Sequence, residues 1–192
     1  MKLKFIFLLV FQISFYCAFS QSSDSIYTSL ETALKNKEQV KYLKLNRKQY
    51  RVFPSQIFEF KNLVELDISK NKIAELPDSI AVLTHLKKIN VSQNKLKSLP
   101  KTIGSLSNLQ DIRAAQNEIT TLPVELSNLL NLSVLDLWSN NIVEFPVEYG
   151  KLTQLKELDV RGIVFTESQE KKLKELLPAT KIYFSPGCNC GK

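Results

Sequence analysis

The chain has 192 residues, a formal charge of +7, 44% apolar residues, five glycines, three cysteines and a single histidine. So few glycines make a phosphate-cradling loop hard to build, and His85 is the sole imidazole available as a base for nucleophilic catalysis. The length permits one sizeable core, since a chain of about 150 residues buries roughly 70% of its unfolded surface, and no low-complexity linker marks a second domain.

Residues 1–20 place Lys2 and Lys4 ahead of an apolar stretch from Phe5 to Phe19, broken by Gln12 and Ser14 and ending near the small residues Ala18 and Ser20. This is the layout of a secretory signal peptide cleaved after Ser20. The stretch is shorter than the roughly 20 apolar residues of a spanning helix, so no stable membrane span is expected once it is removed. Bulky Phe15 and Tyr16 before Cys17 argue against a lipid anchor at that cysteine. Cleavage takes Lys2 and Lys4 and lowers the charge from +7 to +5. The exported protein is then one domain, its final compartment being periplasm, cell surface or medium.

An N-terminal helical cap is expected over residues 21–39. Asp24 or Ser25 would cap the helix, and Ile26, Leu30, Ala33 and Leu34 would share one face. From residue 40 to residue 165 the chain repeats without insertions, in six units that start at Val40, Leu63, Leu86, Leu109, Leu132 and Leu155, a period of 23 residues. A fixed period of this length signals stacked units that cannot bury their apolar faces alone.

Within one unit, Leu63, Leu66 and Ile68 predict a short strand with Leu66 and Ile68 turned inward, while Glu65, Asp67 and Ser69 alternate to the other face. Asn71 closes the strand, and Asn94, Asn117 and Asn140 hold the same place, each an amide able to satisfy backbone groups where the chain turns away. Lys48 and Ile163 replace that asparagine in the first and last units. Pro54, Pro77, Pro100, Pro123 and Pro146 then start a helical or 3₁₀ turn, where a missing N–H does no harm. Positions such as Ile80 and Leu83 would return to the core.

A C-terminal cap is expected over residues 166–184. Thr166 and Gln169 match a capping box, Leu173, Leu176 and Leu177 form an apolar stripe, Pro178 stops the helix, and Ile182 to Phe184 predict a last strand. The tail, residues 185–192, carries Cys188 and Cys190, which an export route favours as a disulfide, within the chain or between chains, with free thiols as the alternative. Two thiolates supply half of the ligands zinc usually takes, so no metal site is expected.

These units resemble leucine-rich repeat proteins, most closely the 23-residue type with Leu-Pro in its second half, the Ras-group-related type. The resemblance covers Val40 to Phe165. It implies an α/β solenoid with a curved parallel sheet on the concave face, short helical or 3₁₀ turns on the convex face, helical caps, and a role in binding.

Alternation along the strands puts three rows on the concave face. The first reads Tyr42, Glu65, Lys88, Asp111, Val134 and Glu157; the second Lys44, Asp67, Asn90, Arg113, Asp136 and Asp159; the third Asn46, Ser69, Ser92, Ala115, Trp138 and Arg161. Trp138, the single tryptophan, stands among Arg113, Asp136 and Arg161, and aromatic and arginine side chains are the types that most often anchor interfaces. Lys88 and Asp111 complete the expected partner-binding set. A basic stretch with Lys41, Lys44, Arg47 and Lys48 offers a second, anionic-ligand surface.

His85 shares its repeat position with Asn62, Asn108, Asn131 and Gln154, which makes it a polar turn residue. Carboxylates such as Asp136 and Asp159 lie on adjacent strands, but an open face gives too little desolvation for acid catalysis. No enzymatic activity, cofactor or nucleic-acid partner is expected. The sequence points instead to a protein partner on the concave strands. The alternatives are an anionic glycan or lipopolysaccharide on the basic N-terminal repeats, and a purely architectural envelope role.

Overall fold

In a computed structural model that describes residues 25–185, eight parallel strands follow one another in sequence order across a single sheet. They are β1 (Ile26–Tyr27), β2 (Tyr42–Lys44), β3 (Glu65–Asp67), β4 (Lys88–Asn90), β5 (Asp111–Arg113), β6 (Val134–Asp136), β7 (Glu157–Asp159) and β8 (Lys181–Tyr183). From β2 to β7 the register follows the repeat, so Tyr42 pairs with Glu65, Glu65 with Lys88, Lys88 with Asp111, Asp111 with Val134 and Val134 with Glu157. Sequence periodicity and sheet register are therefore the same fact.

The central residue of each strand from β2 to β7, Leu43, Leu66, Ile89, Ile112, Leu135 and Leu158, points into the core and is almost fully buried. Each such side chain contributes about 1.5–3 kcal/mol relative to exposure. On the convex side, 3₁₀ helices at Ser55–Glu59, Asp78–Val82, Lys101–Ser105, Val124–Asn128 and Val147–Lys151 each follow a proline. The proline carbonyl accepts the N–H three residues on, at Ile57, Ile80, Ile103, Leu126 and Tyr149. All five of these side chains are fully buried.

Where strands turn away, one amide per repeat gathers the freed backbone groups. Asn117 Nδ2 donates to the carbonyls of Val91 (3.1 Å), Ala114 (2.9 Å) and Ala115 (3.2 Å), and its Oδ1 accepts from Leu96 N–H at 3.0 Å. Asn71, Asn94 and Asn140 repeat the pattern. The residue before each asparagine is left-handed: Lys70, Gln93, Gln116 and Ser139 have φ between 52° and 58°. In the last unit Gly162 takes that place at φ 77°.

The N-terminal cap departs from the expected helix. Ile26 and Tyr27 form β1, paired in parallel with Tyr42 and Leu43 of β2, and only Leu30–Leu34 is helical (α1), with Ser29 at its start making no side-chain cap bond. A β-branched and an aromatic residue beside an open strand edge gain ladder bonds and packing that a short helix would forgo. At the other end α2 spans Glu167–Leu176, and the capping box forms: Gln169 N–H donates to Thr166 Oγ1 at 3.3 Å, and Thr166 N–H to Gln169 Oε1 at 2.8 Å. β8 starts one residue earlier than expected, which frees Phe184 to pack edge-on against Phe165. The signal segment, Asp24, Cys188 and Cys190 lie outside the described residues.

Candidate functional site

The concave face carries the three rows read from the sequence, lengthened by β1 and β8, which add Ile26 and Lys181 to the first row and Tyr183 to the second. Seven strand spacings give it a length of about 34 Å. Most of its charges are matched within the face. Lys88 Nζ lies 2.9 Å from Glu65 Oε1, and this hydrogen bond and charge hold the Lys88 ammonium above its ordinary pKa. Arg113 Nε and Nη2 each donate to Asp111 at 3.2 Å, and Arg161 Nε donates to both carboxylate oxygens of Asp159, at 3.0 and 3.1 Å. Each guanidinium is held above its usual value by its own aspartate. Asp111 corrects one expectation: it is only 9% exposed, so it holds Arg113 in place and presents little surface to a partner.

Asp136 differs from its neighbours. It makes no ion pair among the described residues; its Oδ1 accepts the Trp138 N–H at 3.1 Å. Burial raises its pKa above the ordinary carboxylate value, chiefly by desolvation and less by the Asp159 charge, against the opposing Trp138 N–H bond and the charges of Arg113 and Arg161. Asp67, Asn90 and Asp159 accept from Ser69, Ser92 and Arg161 in the same way, at 2.9, 3.1 and 3.0 Å. Sequence reasoning missed this second ladder, whose signal is an Asp or Asn two residues before the strand-end N–H in repeat after repeat; Arg113 interrupts it.

Trp138 is 41% exposed beside the small, buried Ala115. Beyond it Arg161 lies over the Tyr183 ring at 5.7 Å, and Lys181 over the same ring at 4.8 Å. A hollow of about 320 Å³ opens between Arg113, Asp136, Glu157, Arg161 and Tyr183. The basic residues are spread differently: Lys41 is half-buried at the foot of β2, Lys44 is exposed in the second row, and Arg47 and Lys48 are exposed in the turn that follows. His85 Nδ1 lies 3.1 Å from the Lys61 carbonyl, where Asn62, Asn108 and Asn131 donate to Glu38, Thr84 and Ser107. It is a turn residue.

A further surface went unread in the sequence. Val143, Phe145, Val147, Phe165 and Leu176 line a groove of about 610 Å³ between the last 3₁₀ helix and α2, with Val147 77% exposed. Its signal was Val143, where the preceding repeats carry Lys97 and Thr120; Val147 repeats Val124 of the unit before, where earlier units carry Asp78 and Lys101. Among the described residues no group of three or more His, Cys, Asp or Glu side chains could hold a metal ion, and no helix is long and apolar enough to cross a membrane.

A family model described as a leucine-rich repeat region matches residues 2–118. The chain belongs to the leucine-rich repeat family. No curated protein sequence matches it significantly. Among solved structures it is similar to a leucine-rich repeat protein of Leptospira interrogans, at 27% identity and a TM-score of 0.62, with 76% of this chain and 44% of that one covered. It is also similar to an internalin C2 of Listeria monocytogenes, at 22% identity and a TM-score of 0.67, covering 84% and 68%. A third likeness is to the leucine-rich repeat ectodomain of a plant membrane receptor kinase from Arabidopsis thaliana, in complex with Casparian strip integrity factor 2, at 22% identity and a TM-score of 0.63, covering 77% and 18%. This leucine-rich repeat chain thus spans less than half the length of the Leptospira protein. The likenesses to the internalin and the plant ectodomain establish the fold.

Proposed function

We propose that the chain is an exported, non-enzymatic leucine-rich repeat module of the Ras-group-related type that binds a protein partner on its concave strands. The observation that carries this reading is Trp138. An indole 41% exposed stands on a row whose other members include the buried Ser69 and Ala115, and the repeat pattern has no use for a large aromatic there. Buried at the centre of an interface, such a side chain commonly contributes about 2 kcal/mol or more. Export rests on the charge and apolar pattern of residues 1–20. The plant ectodomain shows the same fold in complex with a named factor, which supports a binding role for this chain.

A second reading, an anionic glycan or lipopolysaccharide on the N-terminal repeats, is favoured by one observation. Lys41, Lys44, Arg47 and Lys48 make no ion pair among the described residues, whereas Lys35 and Lys37 pair with Glu31 and Glu59. The test is cross-linking capture from native envelope and medium with residues 21–192, beside a Trp138→Ala, Arg113→Glu variant of equal measured stability. A protein held by the first bait and lost by the second supports the concave site. Equal capture by both sinks it, and salt-sensitive retention of acidic polysaccharide by both supports the glycan reading. Capture by neither leaves an architectural envelope role ahead.

A further inference from the structure

We infer that the hollow at Asp136 receives a lysine or arginine side chain from an extended segment of the partner, with Trp138 packed against that side chain. This names the chemistry of the concave-face site and rests on that reading.

Both arginines of the hollow are already matched. Arg113 is held by Asp111 through two bonds of 3.2 Å, and Arg161 by Asp159. Asp136 and Glu157, on the same hollow, have no ion-pair partner among the described residues. The two arginines that line the hollow are each engaged by an aspartate, which leaves Asp136 and Glu157 as carboxylates without an ion pair there and suits an incoming cation.

Asp136 has a backbone duty: its Oδ1 accepts the Trp138 N–H. Two repeats earlier Asn90 does the same for Ser92 N–H at 3.1 Å with no charge at all. The ladder needs an oxygen acceptor and has no need of an anion. Asp67 and Asp159 make the same bond, so the ladder explains the oxygen at this position; what it leaves open is a carboxylate in the hollow that burial disfavours and no ion pair meets.

Geometry supplies the rest. The hollow of about 320 Å³ has room for one long side chain, and Trp138, exposed, follows Asp136 by two residues along the chain. A cation over an indole face and against a carboxylate gains from both. Tyr183 already receives Arg161 and Lys181 over its ring, so cations already pack on an aromatic ring two strands away.

The experiment uses the emission of Trp138, the single tryptophan of the chain. Nonapeptides of Ser, Thr and Val with a central Arg, Lys, Leu or Glu are titrated into the full domain and into Asp136→Asn, which keeps the acceptor for Trp138 N–H. The Arg and Lys peptides are expected to bind the native protein at least fivefold tighter than the Leu and Glu peptides. In Asp136→Asn that preference is expected to shrink to within twofold, with no loss of thermal stability. Equal binding of all four peptides, an undiminished preference in the variant, or a response to chitotetraose with none to the peptides would overturn the inference. Its failure is separable from that of the concave-face reading. A captured partner lost with Trp138→Ala but kept at full strength by Asp136→Asn leaves the face and removes the cation; a partner kept by both variants removes both.

Discussion

Four backbone bonds converge on the amide of Asn117, three accepted by carbonyls and one donated by Leu96 N–H. Replacing it with alanine strands those groups where water is scarce, at about 1–3 kcal/mol for each buried group left unmade. Asn117→Ala is expected to lose about 3 kcal/mol or more in urea denaturation, and a loss below about 1 kcal/mol would show that water replaces the amide. This ladder was legible because a polar residue recurs inside an apolar frame. The second ladder was not, since Asp67, Asn90, Asp136 and Asp159 sit among variable polar neighbours and their bond to a strand-end N–H leaves no mark in hydropathy. Asp136 makes a further test. Its native pKa is raised by burial, so the folded state binds more protons than the unfolded chain just above the unfolded carboxylate value of about 3.9. Stability from this group is therefore present at low pH and is lost as pH rises through the native value. Asp136→Asn should match the native protein near pH 3 and be the more stable of the two at pH 7. Identical melting curves at both pH values would mean that the native carboxylate is well solvated.

At the scale of elements, two neighbouring convex 3₁₀ helices approach closely at Gly104. A Cβ added at Gly104, in Lys101–Ser105, would lie 2.1 Å from the carbonyl oxygen of Glu125 in Val124–Asn128. Ordinary propensity says that alanine improves a helical position held by glycine by about 0.5–1 kcal/mol. Here the overlap is with main chain and cannot be relieved by rotating a side chain. Gly104→Ala is expected to reverse the usual sign and cost about 3 kcal/mol or more, read as the shift in urea midpoint at constant slope. A stabilised variant would mean that the two segments are less tightly apposed. Legibility differed among elements for a related reason. The C-terminal helix announced itself through a capping box and ten residues of pattern, whereas a two-residue strand and a five-residue helix at the other end are too short for any period to show. The groove by α2 stayed hidden because its exposed valines look like core residues until the fold shows which way they face.

Across the whole molecule, each unit meets only the units beside it in the strand order β1 to β8, so stability is close to a sum of unit and interface contributions. That lets a complete repeat be removed, provided the two new neighbours fit. Deleting residues 63–85 joins Asn62 to Leu86 in register; Tyr42 then faces Lys88, and the Gly104 contact with Glu125 is untouched. Deleting residues 86–108 is equally in register but sets Glu65 beside Asp111 in the first row. It also brings Ala81 to the place of Gly104, so that a real Cβ meets the Glu125 carbonyl, where only 2.1 Å is available. Like charges on facing strands and an overlap with backbone oppose the second junction and spare the first. The deletion of 63–85 is expected to unfold in one cooperative step with a denaturant slope lower by roughly a seventh, in proportion to the surface removed. The deletion of 86–108 is expected to be markedly less stable or to unfold in separate steps. Two deletions of equal stability would show that neighbouring repeats adjust their spacing freely; the greater stability of the first would show that these units, alike in sequence, are fitted to particular neighbours.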